Sequence, residues 1–169
     1  MSGDIVAILS LGSNLGDRER NLRDAVADIG ALSGVTLVAT SGVVETAAMK
    51  PEGVDASAPA YLNAVAKVRT TLSPDDLLAR LNEIEASHGR VRDIRWGDRT
   101  LDIDIVAYGA LIQDDPGLTL PHPRAAERSF VLVPWLELDA EAVLPGVGRI
   151  DRLPAATVDV ARYPAEALS

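Results

Sequence analysis

At 169 residues the chain is long enough for one domain with a substantial core, and its 47% hydrophobic content argues against disorder. It contains no cysteine, which excludes disulfides, thiolate metal sites and covalent catalysis through sulfur. A formal charge of −9 repels polyanions, so nucleic acid and acidic membranes are poor partners. No apolar run approaches the roughly 18 residues of a spanning helix, and Met1-Ser2-Gly3-Asp4 lacks the basic region of a secretory leader. The expectation is a single cytoplasmic domain, residues 1–169. A monomer is the simpler reading, since no exposed apolar helix demands a partner.

Ile5 to Leu11 is an apolar, β-branched run ending at Gly12-Ser13-Asn14, after which Leu22, Val26 and Ile29 recur at helical spacing up to Gly30. The pattern predicts strand, turn, helix. Val35 to Thr40 and Val43 to Thr46 read as strands. Lys50 to Pro59, rich in Pro, Gly, Ala and Asp, predicts a surface loop. From Tyr61 to Thr70 the chain alternates, with Leu62, Ala64, Ala66 and Val68 opposite Asn63, Lys67 and Arg69, which predicts a half-buried strand. Ser73-Pro74-Asp75-Asp76 supplies an N-cap and a proline for the first helical position. The helix that follows carries Leu77, Leu81, Ile84 and His88 along one stripe, and Gly89 can stop it. Leu101, Ile103 and Ile105 alternate with Asp102 and Asp104 before a turn near Gly109. Pro121-His122-Pro123 interrupts the chain, Phe130 to Leu138 is apolar, and beyond Asp139 no pattern is legible. Strands and helices alternate without a regular βαβ rhythm. This favours an α+β sandwich, a mainly antiparallel sheet with helices packed on its faces.

Between Arg90 and Arg99 four arginines (Arg90, Arg92, Arg95, Arg99) stand against Asp93 and Asp98, a locally positive stretch in an acidic protein. Just beyond it, Asp102 and Asp104 are two apart on a strand, so both carboxylates project from one face, roughly 6.5–7 Å apart along the chain. Such a pair can be a solvated sheet face, or it can bind Mg²⁺ through oxygen and leave coordination sites for phosphate and water. Guanidinium forks beside it favour the second reading, because phosphoryl transfer is catalysed mainly by positioning and charge neutralisation. No P-loop sequence occurs, and the Gly12-Ser13-Asn14-Leu15-Gly16 turn is a weak phosphate cradle. His88 and His122 are too scattered for a zinc centre. His122, between two prolines, suits a phosphate contact and a purely structural duty equally. Tyr61 lies two residues before Asn63, Trp96 lies inside the arginine stretch and Phe130 follows Arg128, so rings could sandwich a flat heterocycle while an amide reads its edge. Tyr61 and Phe130 are equally consistent with ordinary core residues.

The run Gly89-Arg90-Val91-Arg92, continued by Arg95-Trp96-Gly97-Asp98-Arg99-Thr100-Leu101-Asp102-Ile103-Asp104, resembles the signature of the hydroxymethyldihydropterin pyrophosphokinase family. It is joined in the family's order by Gly12-Ser13-Asn14-Leu15, Tyr61-Leu62-Asn63-Ala64, Glu85, and Leu120-Pro121-His122-Pro123 with Arg128 and Phe130, over about residues 5 to 138. The resemblance implies a ferredoxin-like fold and transfer of pyrophosphate from ATP to the hydroxymethyl group of 6-hydroxymethyl-7,8-dihydropterin, releasing AMP. It implies that Asp102 and Asp104 hold two Mg²⁺ ions, that Arg90, Arg92 and Arg99 belong to a catalytic loop and phosphate site, and that Glu85, Arg92, Ile105, Thr119, His122 and Arg128 lie at ATP-contacting positions. Tyr61 and Phe130 would stack the pterin, Asn63 would bond its edge, and Thr46 and Trp96 would close the pocket. Asp104 could also accept the hydroxyl proton weakly. The chain departs from the pattern at Asp98, at Ala47-Ala48-Met49 and at Pro123, and its 47–60 segment looks long; these bear on loop geometry and affinity. Two rivals share the fold. A non-catalytic nucleotide-binding module has little reason to keep paired aspartates beside the arginines. An RNA-binding domain would need a broad basic surface.

Overall fold

A computed structural model of the chain describes residues 4–50, 53–55, 60–88, 101–165 and 168. The elements follow in order as β1 (Ile5–Ser13), α1 (Arg18–Gly30), β2 (Val35–Thr40), β3 (Val43–Thr46), β4 (Ala48–Lys50), β5 (Gly53–Asp55), β6 (Tyr61–Thr70), α2 (Pro74–Ser87), β7 (Asp102–Tyr108), α3 (Ser129–Leu138), β8 (Val143–Leu144), β9 (Gly148–Arg149) and β10 (Ala161–Tyr163), with short 3-10 turns between some of the last.

Strand β6 is the spine of the sheet. Along one edge it pairs with β1, from Ile5 opposite Thr70 to Ser13 opposite Leu62; along the other it pairs with β3 near its start and β2 near its end. Strand β7 lies on the far side of β1, and β10 on the far side of β3. Every pairing is antiparallel. With β2 and β3 sharing one place, the order β7-β1-β6-β2/β3 interleaves two β-α-β units, one through α1 and one through α2. This is the expected ferredoxin-like α+β fold.

Both helices start where their polar residues cap them. The Asp17 side chain accepts the N–H of Arg20, the Ser73 hydroxyl accepts that of Asp76, and Pro74 occupies a position where no N–H is needed. Their apolar stripes, Leu22, Ala25, Val26 and Ile29 on α1 and Leu77, Leu81 and Ile84 on α2, bury against Leu9, Leu11, Leu62, Ala64, Ala66, Val68, Ile103 and Ile105. The opposite face meets α3, whose Val131, Leu132 and Trp135 pack with Ala142, Leu144 and Ile150 over Ile8, Val65, Val106 and Ala107.

The structure corrects some sequence expectations and completes others. Strand β6 is buried on both faces from Leu62 to Ala66, because α3 covers the side that alternation left polar. The apolar stretch after Arg128 is a helix with Pro134 inside it. Wedged between the sheet and the C-terminal turns, it is apolar nearly all round and shows no helical stripe. Gly12 belongs to β1 and not to a turn; the chain bends at Gly16, whose φ is +70°. Residues 48–50 and 53–55 pair as a small hairpin that overlaps the start of the expected loop. The stripe of α2 continues to buried Glu85, while His88 caps the helix with Nε2 3.2 Å from Asp28 Oδ2. Gly89, the expected stop, lies outside the described residues. One irregularity matters for function. Leu9 pairs with Ile105 but Ile8 pairs with Ala107, so Val106 is an extra residue in β7, and this bulge lies just beyond the two aspartates.

Candidate active site

Because Ile103 and Ile105 point into the core under α1 and α2, Asp102 and Asp104 project from the opposite face of β7, each partly exposed. Cross-strand register says what shares that face. Gly12 is opposite both Asn63 on β6 and Asp102 on β7, and Ser10 is opposite both Val65 and Asp104. Asn63 and Asp102 therefore stand two strands apart, about 10 Å, with only Gly12 between them.

On the β6 side, Asn63 Nδ2 donates to Thr46 Oγ1 at 2.9 Å, and Asn63 is itself buried. A Cβ at Gly12 would lie 2.9 Å from Asn63 Oδ1 and 3.5 Å from the Tyr61 ring. Glycine is therefore required here for close approach inside a strand, not for a turn. The sequence reading missed this role, because a glycine at the end of an apolar run reads as the start of a turn.

On the β7 side, two residues from the chain beyond the sheet converge on Asp104. His122 Nε2 lies 4.0 Å and Arg128 Nη1 3.9 Å from Asp104 Oδ2. Both separations exceed a direct hydrogen bond. The His122 N–H donates to the carbonyl of Val106 in the bulge at 2.9 Å, which holds the residue beside β7. His122 Nδ1 accepts the Arg124 N–H at 3.1 Å, so the proton of the neutral ring sits on Nε2, facing Asp104. Burial, then the charges of Arg128 and Arg124, lower the His122 pKa to about 4. The ring is therefore a neutral donor at pH 7. Arg128 also lies over the Phe130 ring, 5.6 Å from its centroid.

The other expected site residues fall in different surroundings. Glu85 is fully buried on α2, where Oε2 accepts the N–H of Ile103 at 2.7 Å and so ties the helix to β7 between the two aspartates. The Ile105 side chain is core, which leaves its backbone for any ligand. Thr119 is partly exposed and its hydroxyl donates to the Asp115 carbonyl at 3.2 Å. Arg90, Arg92, Trp96 and Arg99 lie outside the described residues.

The donor set suits one kind of metal. Among the described residues no three metal-ligating side chains cluster, and two strand carboxylates form an oxygen set that Mg²⁺ accepts when substrate phosphates and water complete its shell. Fold and charges together define a class, a ferredoxin-like α+β enzyme whose sheet face suits a polyphosphate substrate and its metal.

A family model described as 7,8-dihydro-6-hydroxymethylpterin-pyrophosphokinase (HPPK) matches residues 8–140. The chain is 44% identical over 141 residues to the 2-amino-4-hydroxy-6-hydroxymethyldihydropteridine pyrophosphokinase of Haemophilus influenzae, covering 83% of this chain and 86% of that protein. The enzyme of the same name from Bacillus subtilis is 41% identical over 133 residues, covering 79% and 77%. Among solved structures, an HPPK-DHPS in complex with substrates matches with a TM-score of 0.66 at 12% identity, and the wild-type Plasmodium falciparum HPPK-DHPS with pterin and p-hydroxybenzoate with 0.64 at 16%. These cover 88% and 89% of this chain, which spans 42% of the length of each.

The chain belongs to the HPPK family. It is an ATP-dependent diphosphotransferase of folate biosynthesis, and a purely regulatory nucleotide-binding module is not favoured. Among the described residues no helix is long and apolar enough to cross a membrane.

Proposed function

We propose that pyrophosphate passes from ATP to the hydroxymethyl group of 6-hydroxymethyl-7,8-dihydropterin on the face formed by β1, β6 and β7, with Asp102 and Asp104 as ligands of two Mg²⁺ ions. The convergence of His122 and Arg128 on Asp104 carries this reading, since it joins a cation-binding carboxylate to two anion-binding groups. When bound, the metal offsets negative charge on the phosphate oxygens and helps hold them in line. The protein supplies the rest. His122 donates its Nε2–H, and Arg128 its guanidinium, to phosphate oxygens. Arg90, Arg92 and Arg99 add charge as the bridging bond breaks, and Ile105 and Thr119 border the nucleotide. Tyr61, Phe130 and Trp96 enclose the pterin, and the Asn63 amide reads its edge with Thr46 behind it. Glu85 acts through β7. The substrate hydroxyl oxygen forms the new bond to the β-phosphorus as the bond to the α–β bridging oxygen breaks and AMP leaves, and the hydroxyl proton passes to the Asp104 carboxylate as a weak acceptor and from there to solvent.

In the same reading residues 1–169 act as one cytoplasmic, monomeric domain that binds neither nucleic acid nor membrane. The test is AMP production from ATP. It is expected to require Mg²⁺ and the pterin together; AMP formed at equal rate without pterin, or with the metal chelated, would overturn the assignment.

A further inference from the structure

Arg18 is the first residue of α1, where a cation opposes the helix dipole, so local helix energetics do not explain it. Its contacts do. One guanidinium nitrogen donates to Glu45 Oε2 at 3.0 Å and to the Ala60 carbonyl at 2.7 Å. The guanidinium also lies over the Tyr163 ring on β10, 5.7 Å from its centroid. Glu45 and Ala60 flank the excursion of the chain from β3 to β6, whose closing rung is Thr46 opposite Tyr61. A rung at the end of a ladder, closing a segment of over ten residues, is where pairing frays first. The side chain sits half-buried against both strands and against β10, which itself pairs with β3 through Tyr163 opposite Val43 and Ala161 opposite Glu45.

We propose that Arg18 is a positioning residue for the pterin side of the site. By bridging Glu45, Ala60 and Tyr163 it clamps the rung that carries Thr46 and Tyr61. Thr46 Oγ1 holds Asn63 Nδ2, so the clamp also sets which edge the Asn63 amide presents. The C-terminal strand thereby gains a role in substrate selection, through the ring that Arg18 covers and the outer edge of β3. This inference rests on the pterin-site reading above.

Steady-state kinetics on variants of the full chain test it. In Arg18→Met the KM for the pterin is expected to rise about tenfold, with the KM for ATP and kcat within about twofold of the parent. Arg18→Lys, whose ammonium can donate to both oxygens, is expected to recover most of that loss. A merely structural role would lower the active fraction, hence kcat, and leave both KM values in place. Asn63→Ala separates the two levels of inference. An unchanged pterin KM in Asn63→Ala removes the site reading and this proposal with it; a raised value there beside an unchanged one in Arg18→Met overturns the role of Arg18 alone. Should Arg18→Met not fold, Glu45→Gln is read instead: a rise of about threefold in pterin KM is expected, and an unchanged value overturns the clamp.

Discussion

At one corner of the functional sheet face the Asn63 amide is already tied to Thr46 at 2.9 Å, whereas at the other the Asp104 carboxylate stands 4.0 Å from His122 and 3.9 Å from Arg128. The first corner is neutral and holds its buried amide by a direct hydrogen bond; the second is charged and partly exposed. Closed bonds orient an amide before any ligand arrives, which suits a flat uncharged ring. A carboxylate grouped with a guanidinium and a neutral imidazole N–H offers oxygen to a cation and donors to an anion. In the proposed function the ladder selects shape and the charged corner holds the ions.

Substitutions that strike one corner should spare the other. The largest effect is expected for Asp104→Ala, which should lower kcat by about 10²–10³-fold while leaving pterin affinity nearly intact; near-normal Mg²⁺-dependent turnover would show that the charged corner is not catalytic. Gly12→Ala should act on the other side. Its Cβ meets Asn63 Oδ1 at 2.9 Å, and the Thr46 bond limits how far the amide can retreat, so a rise of about 10-fold or more in pterin KM with ATP KM little changed is expected.

A third effect is on stability. The His122 pKa, about 4 in the folded chain, is lower than in the unfolded chain, so its contribution is complete above about pH 6.5 and is lost as the pH falls toward 4. Urea unfolding of the parent should weaken by about 1–2 kcal/mol between pH 6.5 and 5 relative to His122→Asn, which has no such proton to gain. Parallel pH profiles would mean that the ring is not held neutral. The smallest change should come from Thr46→Val. It leaves the Asn63 N–H without its acceptor and should raise pterin KM by about threefold to tenfold, an effect absent if the amide simply turns to water.

Much of this was legible in residue order. Helix α2 was announced by Ser73 and Pro74, which act on their own backbone neighbours, and the shared face of Asp102 and Asp104 followed from the two-residue period of a strand. The paired acids, His122, Arg128 and Asn63 could be named, since each is a chemically distinctive residue within a specific local motif. The sequence did not disclose α3, because a helix buried nearly all round has no amphipathic stripe, nor the two-sided burial of β6, which depends on that helix.

Local chemistry thus determined the main elements, the acid pair and the family that the chain resembles, because caps, alternation and motifs involve neighbours within a few residues. Tertiary structure decided what those residues face. Gly12 became the gap between Asn63 and Asp102 only when β6 and β7 flanked β1, and Glu85 became a tie to β7 only when α2 packed beneath it. Arg18 met Glu45, Ala60 and Tyr163 across separations that no local pattern encodes, since strand register and helix packing set those contacts only in the folded chain.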